Sequence, residues 1–281
     1  MTSPNQPTSG AEGIRWINVD GQPLRMAIQA GDGTGWPLLL LNGIGANLEV
    51  FQPFIDALGS DIETIRADLP GAGKSPAPGR PYRFSGLAHL LARTLNQLGY
   101  PTVDVLGISW GGGLAQEFAH RYADRCRRLV LVSTGTGAVM IPGRPSALLP
   151  LLSPRRYLDP SYMASIAAQL YGGRIRSDPD LARTVGRQIR SGGTRGYYWQ
   201  LLAVAGWTSI LWLHTLRQPT LILSGRDDPI VPWVNGRIMA RLIPNSRLYV
   251  FADGHLGLLT SAAELGPIVR DFLLEEMDVA A

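Results

Sequence analysis

Gly107-Ile108-Ser109-Trp110-Gly111 follows directly on the apolar run Val103-Asp104-Val105-Leu106 and leads into the helical segment Leu114 to Arg121. A G-x-S-x-G pentapeptide in that position sets a serine on a sharp turn between a buried strand and a helix. Glycine is needed on both sides because a Cβ there would clash with the tight reversal. Such a turn holds the Ser109 hydroxyl clear of the sheet and aims the unpaired N–H groups at the helix start toward any oxyanion formed beside it. A glycine-rich turn that merely contains a serine has the same pattern, so its surroundings must decide.

Working outward, short apolar runs alternate with helical patterns. The runs are Ile14 to Val19, Leu24 to Ala30, Pro37 to Leu41, Ile62 to Ala67, Thr102 to Leu106, Arg128 to Ser133, Thr220 to Ser224 and Arg247 to Phe251. The first two, joined by Asp20-Gly21, read as a hairpin. Helical patterns cover Leu48 to Leu58, Phe84 to Leu98, Ser109 to Tyr122, Asn235 to Leu242 and Ala262 to Met277. This alternation predicts a mostly parallel eight-stranded sheet with helices on both faces. From about Gly135 to Leu216 the rhythm breaks: apolar helical patterns replace strands, and the segment is rich in Tyr and Trp. It reads as a helical cap inserted between two core strands. The expected organisation is a flexible tail over residues 1–13, a core formed by 14–134 and 217–281, and a cap over 135–216.

A serine hydroxyl is a poor nucleophile at neutral pH; it needs a histidine to take its proton and an acid to fix that histidine's tautomer. His89 and His120 fall inside helical patterns, and His214 closes the cap segment. His255 instead lies on Phe251-Ala252-Asp253-Gly254-His255, a loop just past the last apolar run. Loops after the carboxyl ends of parallel strands converge on one crevice, so Ser109 and His255 can meet there. The acid should come from Gly225-Arg226-Asp227-Asp228-Pro229, which follows the strand at Thr220 to Ser224, and either aspartate could serve. Asp253, two residues before the histidine, is better suited to shaping its own loop. The order Ser, Asp, His is the one a nucleophile elbow requires. Asn42-Gly43-Ile44-Gly45-Ala46-Asn47 follows another strand, so the N–H groups of Ile44 and Trp110 are the expected oxyanion donors.

Other motifs fail. Asp68-Leu69-Pro70-Gly71-Ala72-Gly73-Lys74-Ser75 ends like a phosphate loop, but the glycine required five positions before Gly73 is Asp68, leaving an ordinary turn after a strand. Gly111-Gly112-Gly113 is not a dinucleotide fingerprint; it permits close packing of the nucleophile helix. The net charge of +4 comes without a clustered basic stripe, which argues against nucleic-acid binding. A single cysteine, Cys126, excludes an internal disulfide and a Cys-rich metal site and points to a reducing, cytoplasmic setting. It reads as a small buried filler. Residues 1–13 have no apolar h-region, so no signal peptide is expected. The near-uncharged stretch Tyr197 to Leu213 only touches the lower limit for a membrane span and reads as an apolar helix of the protein, not a transmembrane segment. No cofactor or metal is expected.

The elbow and oxyanion loop, with Arg80-Pro81-Tyr82-Arg83-Phe84, Ser153-Pro154-Arg155-Arg156-Tyr157, Ser191-Gly192-Gly193, Gly196-Tyr197-Tyr198-Trp199-Gln200-Leu201 and Gly206-Trp207-Thr208-Ser209-Ile210, resemble the intracellular medium-chain-length polyhydroxyalkanoate depolymerases of the α/β-hydrolase superfamily. The resemblance runs from about Val19 to Phe272 and draws its specificity from the cap motifs. It implies the α/β-hydrolase fold with an inserted cap, and an enzyme that hydrolyses storage polyester inside bacteria, acting on a polyester or acyl-ester substrate, with the granule surface as an expected partner. By the superfamily pattern the acid falls on Asp228 and the base on His255. Polyester synthases share this core but carry cysteine where Ser109 stands, which favours water over chain elongation. Two other readings remain: a capped esterase or carbon-carbon bond hydrolase acting on small soluble substrates, and a granule-associated binding protein without catalysis. Tyr197, Trp199, Trp207 and Trp212 are expected to include residues that line the acyl pocket or face the granule.

Overall fold

The computed structural model describes residues 12–188 and 193–276. The tail expected over 1–13 ends earlier, because Glu12 and Gly13 already pair with Gln29 and Ile28 in the first strand pair; the rest of it, the Ser191-Gly192 pair and the end of the last helical pattern at Met277 lie outside the described residues. Eight strands form one sheet: β1 (Glu12–Val19), β2 (Gln22–Gln29), β3 (Leu38–Leu41), β4 (Thr64–Ala67), β5 (Val103–Ile108), β6 (Cys126–Val132), β7 (Thr220–Gly225) and β8 (Ser246–Phe251). Their spatial order is β1-β2-β4-β3-β5-β6-β7-β8. The β1–β2 and β2–β4 pairs are antiparallel, and every pair from β4 to β8 is parallel. The hairpin turn at Asp20 and Gly21 has φ of 52° and 82°, the left-handed pair that suits the twist of a two-residue β-turn.

Twelve helices accompany the sheet among the described residues: α1 (Gln52–Leu58), α2 (Phe84–Leu98), α3 (Trp110–Arg121), α4 (Pro145–Leu148), α5 (Arg155–Leu158), α6 (Pro160–Tyr171), α7 (Gly173–Ser177), α8 (Pro179–Gln188), α9 (Thr194–Val204), α10 (Val234–Leu242), α11 (Gly257–Thr260) and α12 (Ala262–Leu274). The two-residue period of the strands sorts the core onto two faces. Leu38, Leu40, Leu106, Ile108, Val130 and Val132 pack with side chains of α1 and α12. Leu39, Leu41, Val105, Leu129 and Leu131 pack on the other face with α2 and α3. Because both faces are covered, β3, β4, β5 and β7 are buried along their whole length.

Local chemistry moves several boundaries. The pattern Leu48 to Leu58 divides into a 3₁₀ turn, Leu48–Phe51, and α1, whose Pro53 is tolerated only in the first turn. β5 continues past Leu106, since Gly107 and Ile108 still pair with Leu131 and Val132. Between β6 and β7 lie α4 to α9, with no strand of the sheet among the described residues; one antiparallel bridge, Gly137 to Thr208, ties the two ends of this insertion together. Tyr197 to Leu213 is not one helix: α9 stops at Val204, Gly206 takes φ of 73°, and the N–H of Trp207 closes on the Val204 carbonyl. Among the described residues no helix is long and apolar enough to cross a membrane.

The stretch after β4 is more than an ordinary turn. Asp68 is fully buried and accepts from the N–H of Leu48 at 2.8 Å, the N–H of Lys74 at 2.9 Å and Arg25 Nη1 at 3.1 Å. One carboxylate thereby anchors the segment after the β3 loop, the turn after β4 and strand β2. Cys126 is buried, and burial pushes its thiol far up from its ordinary value, so it is unreactive filler.

Candidate active site

Because β3, β5, β7 and β8 run parallel, the loops that follow them leave the same edge of the sheet. Ser109 sits between β5 and α3 with φ of 56° and ψ of −120°, a strained conformation for a residue with a side chain. The flanking glycines are required sterically: a Cβ on Gly107 would stand 2.3 Å from the Gly111 carbonyl oxygen, and one on Gly111 would stand 2.2 Å from the Leu41 oxygen. The turn is held by the Ser109 N–H donating to the Val132 carbonyl at 2.9 Å and by the Thr134 hydroxyl donating to the Ser109 carbonyl at 2.7 Å.

His255 is brought to Ser109 by the loop after β8. Its backbone N–H donates to the Tyr171 carbonyl at 2.8 Å, and its ring lies nearly parallel to the Tyr171 ring, 10° between planes. Nε2 is 2.9 Å from Ser109 Oγ, and Nδ1 is 2.8 Å from Asp228 Oδ2. A carboxylate only accepts, so the proton belongs on Nδ1 and leaves Nε2 to accept from the serine hydroxyl. Asp228 Oδ1 accepts from the N–H groups of Ile230 and Val231, each at 2.9 Å, which turns the other oxygen toward the imidazole. Asp228 and His255 are both buried.

The other two aspartates are engaged elsewhere. Asp227 accepts from the Gly173 N–H at 2.8 Å and pairs with Arg176 at 2.8 Å. Asp253 accepts from the backbone of Arg174 and Gly254 and from the hydroxyls of Thr260 and Ser261. Burial by itself would raise the Asp253 pKa, but these donors, Ser261 foremost, hold it below the ordinary value. The remaining histidines stay away from Ser109: His89 meets the Tyr122 hydroxyl, His120 stacks on Trp212, and His214 is exposed.

The Trp110 N–H opens α3 and has no intrahelical acceptor. Ile44 stands on the loop after β3, and its carbonyl is held from the insertion by the Tyr157 hydroxyl and by Arg156 Nη2 at 3.4 Å. Gln200 on α9 reaches both sides of the site. Its Oε1 accepts from the Gly45 N–H at 2.7 Å, and its carbonyl accepts from Trp110 Nε1 at 2.8 Å. Sequence reasoning missed Tyr157, Arg156 and Gln200 as site residues, although two of the motifs quoted for the resemblance contain them.

Two cavities meet at Ile44 and Ser109. The smaller, about 50 Å³, is lined by Val50, Arg156, Tyr157, Tyr171, His255 and Leu256. The larger, about 180 Å³, is lined by Phe84, Met140, Leu148, Leu201, Trp207 and Val231 among others. Of the four aromatic residues singled out in the sequence, only Trp207 lines either of these two cavities; Trp212 lines a separate hollow with Trp207. Tyr197 is fully buried and donates to the Leu151 carbonyl at 2.6 Å, Trp199 donates to the Pro78 carbonyl at 3.1 Å, and Trp212 packs on His120. Those three hold the insertion together and fix it to the core.

A family model described as the alpha/beta hydrolase fold matches residues 37–262. The chain is 52% identical to a poly(3-hydroxyalkanoate) depolymerase of Ectopseudomonas oleovorans, across 94% of this chain and 93% of the relative. It is 28% identical to a 2-hydroxymuconate semialdehyde hydrolase of Pseudomonas putida, across 86% and 89% of the two chains. Among solved structures, the enol-lactonase from Burkholderia xenovorans LB400 superposes with a TM-score of 0.81 at 23% identity, covering 93% of this chain and 100% of that one.

Proposed function

The chain belongs to the α/β-hydrolase family and, within it, to the poly(3-hydroxyalkanoate) depolymerases, and we propose that it cleaves medium-chain-length poly(3-hydroxyalkanoate) with Ser109 as nucleophile, His255 as general base and acid, and Asp228 as the group that orients the imidazole. It is a carboxylic ester hydrolase. The observation that carries the assignment of roles is the unbroken line Asp228–His255–Ser109 at 2.8 and 2.9 Å beside the Ile44 loop. Nε2 takes the serine proton as Oγ bonds to the ester carbonyl carbon. The N–H groups of Ile44 and Trp110 receive the oxyanion, each donor being worth about 3 kcal/mol in the transition state. Collapse breaks the carbon–oxygen ester bond, and the imidazolium returns its proton to the leaving alkoxide. Water, activated by the same nitrogen, then releases the acyl group as a free acid.

The segment 135–216 acts as a cap over the core formed, among the described residues, by 12–134 and 217–276. The larger, apolar cavity takes an alkyl side chain, gaining about 0.8 kcal/mol per buried CH₂. Leu201→Ala should therefore move the preferred p-nitrophenyl ester toward longer chains while kcat/KM on the shortest ester stays within about threefold. Leu201 is the choice over Trp207, because the Trp207 indole donates to Glu117 at 2.8 Å and its removal would take one of the donors from a buried carboxylate, leaving Arg121. A uniform fall at every chain length, with a lower Tm, would mean that this side chain only packs.

We place the enzyme in the cytoplasm, at the surface of storage granules. Three leucines on successive short helical turns of the cap, Leu149, Leu152 and Leu158, are 65%, 63% and 57% exposed and support that contact. The Leu149→Asp/Leu152→Asp double variant should bind purified granules about a hundredfold less tightly in a cosedimentation assay, since two buried leucines contribute about 3 kcal/mol or more. Its hydrolysis of p-nitrophenyl octanoate should be retained. Undiminished cosedimentation would remove the leucines from the granule contact. A purified medium-chain-length granule assayed beside soluble acyl esters and ring-cleavage diketo acids tests the substrate itself: turnover of the diketo acid alone would overturn it.

A further inference from the structure

Arg156 is 3% exposed, lies on α5 and lines the same small cavity as Ser109 and His255. Its Nη2 approaches the Tyr157 hydroxyl at 2.9 Å and the Ile44 carbonyl at 3.4 Å, and its Nε has no partner. The guanidinium carbon stands 4.5 Å from the centre of the Tyr157 ring and 5.6 Å from that of Tyr197. Its neighbour Arg155 faces Asp159 at 3.4 Å, whereas among the described residues no carboxylate pairs with Arg156. Burial raises the pKa of Tyr157, Tyr171 and Tyr197, so the surrounding phenols stay neutral and supply no anion. Ring faces and two oxygens offset part of the cost of burying this charge; an arginine in protein remains a cation.

A polyester chain is neutral along its length, and the anion it carries is the carboxylate at its acid end. The cavity that holds Arg156 also holds His255 and Leu256, and the larger cavity holds neither. Since His255 hands its proton to the leaving oxygen, the alcohol half of the ester belongs on the Arg156 side. At the acid end of a chain that half is a single 3-hydroxy acid, whose carboxylate carbon lies three bonds, or roughly 4 Å, from the scissile oxygen. We propose that Arg156 binds the terminal carboxylate of the chain, so that cleavage proceeds from the acid end and releases one 3-hydroxy acid per cut. This rests on the assignment of Ser109 and His255 as the catalytic pair. The bond broken is the last ester linkage: its carbonyl carbon passes to Ser109 Oγ, its alkoxide takes the proton from His255, and water then frees the shortened chain with a new terminal carboxylate.

The dimeric ester of 3-hydroxyoctanoic acid, compared as free acid and as methyl ester, isolates the charge. Wild type should cleave the free acid with kcat/KM about tenfold or more above that of the methyl ester, the scale of a charge-assisted pair out of water. In Arg156→Gln the ratio should fall to near one, and Arg156→Lys should restore part of it. Because both substrates are read on the same protein, a general loss from disturbing the Ile44 loop cancels in the ratio. A ratio near one in wild type, or a ratio that survives Arg156→Gln, would overturn carboxylate recognition. Should Arg156→Gln fail to fold, inhibition of wild type decides: 3-hydroxyoctanoate should inhibit about tenfold more tightly than its methyl ester, and equal inhibition would sink the proposal. If wild type cleaves both dimers equally, only the role of Arg156 falls; if it cleaves neither dimer nor p-nitrophenyl octanoate, the serine-hydrolase assignment falls with it.

Discussion

Asp228→Asn should lower kcat on p-nitrophenyl octanoate by about 10⁴-fold with little change in Tm. An asparagine can keep its carbonyl oxygen on the N–H groups of Ile230 and Val231, where Asp228 Oδ1 now sits, so the turn survives. Its NH₂ then faces Nδ1 of His255 and donates. The imidazole proton is driven to Nε2, where it opposes the serine hydroxyl and leaves no acceptor for its proton. Asp227→Asn touches only the Gly173 N–H and a half-exposed Arg176 pair, and its loss should stay within about threefold. Asp253→Asn disturbs a carboxylate with four donors and should show chiefly as a lower Tm, by several degrees at roughly 1–2 kcal/mol of lost stability. Equal modest losses at Asp227 and Asp228 would defeat the assignment, and a large kinetic loss at Asp253 alone would move the acid there.

Ser109→Ala should remove at least about 10³ in kcat and abolish labelling by a fluorophosphonate probe. The fold should remain, because the hydroxyl bonds to His255 while the turn is held by backbone groups and Thr134. Alanine keeps the Cβ and therefore the backbone strain at φ of 56°. Ser109→Gly removes both, so it should be as inactive as alanine yet at least as stable in thermal unfolding. A Ser109→Ala protein retaining more than a tenth of the wild-type rate would show that another group attacks the ester.

The sheet was legible because its signal is local. Each of the eight apolar runs carries its own two-residue alternation or full burial, and Phe84 to Leu98 carries one amphipathic stripe that ends on Gly99, so both could be read within a window of a few residues. The meeting of Ser109, Asp228 and His255 was legible at one remove: parallel strands send their following loops to a common edge. Choosing between Asp227 and Asp228 needed the family pattern, since only the fold of the turn decides which carboxylate faces the imidazole and which faces α7. The insertion was least legible. Its helices carry apolar side chains on more than one side, and counting Tyr and Trp measures how much is buried without saying against what. The contacts that shape the site there, Tyr157 and Arg156 on Ile44 and Gln200 on Gly45 and Trp110, join residues 90 to 155 positions apart and leave no periodic trace. Asp68 escaped notice for the same reason, as its three donors come from three separate segments.

Gln200 has one foot on the loop beside the nucleophile and the other on the first residue of the nucleophile helix. Displacing α9 would break both bonds at once and free the Gly45 peptide next to Ile44. The placing of the Ile44 and Trp110 amides is therefore tied to how closely the insertion sits on the core.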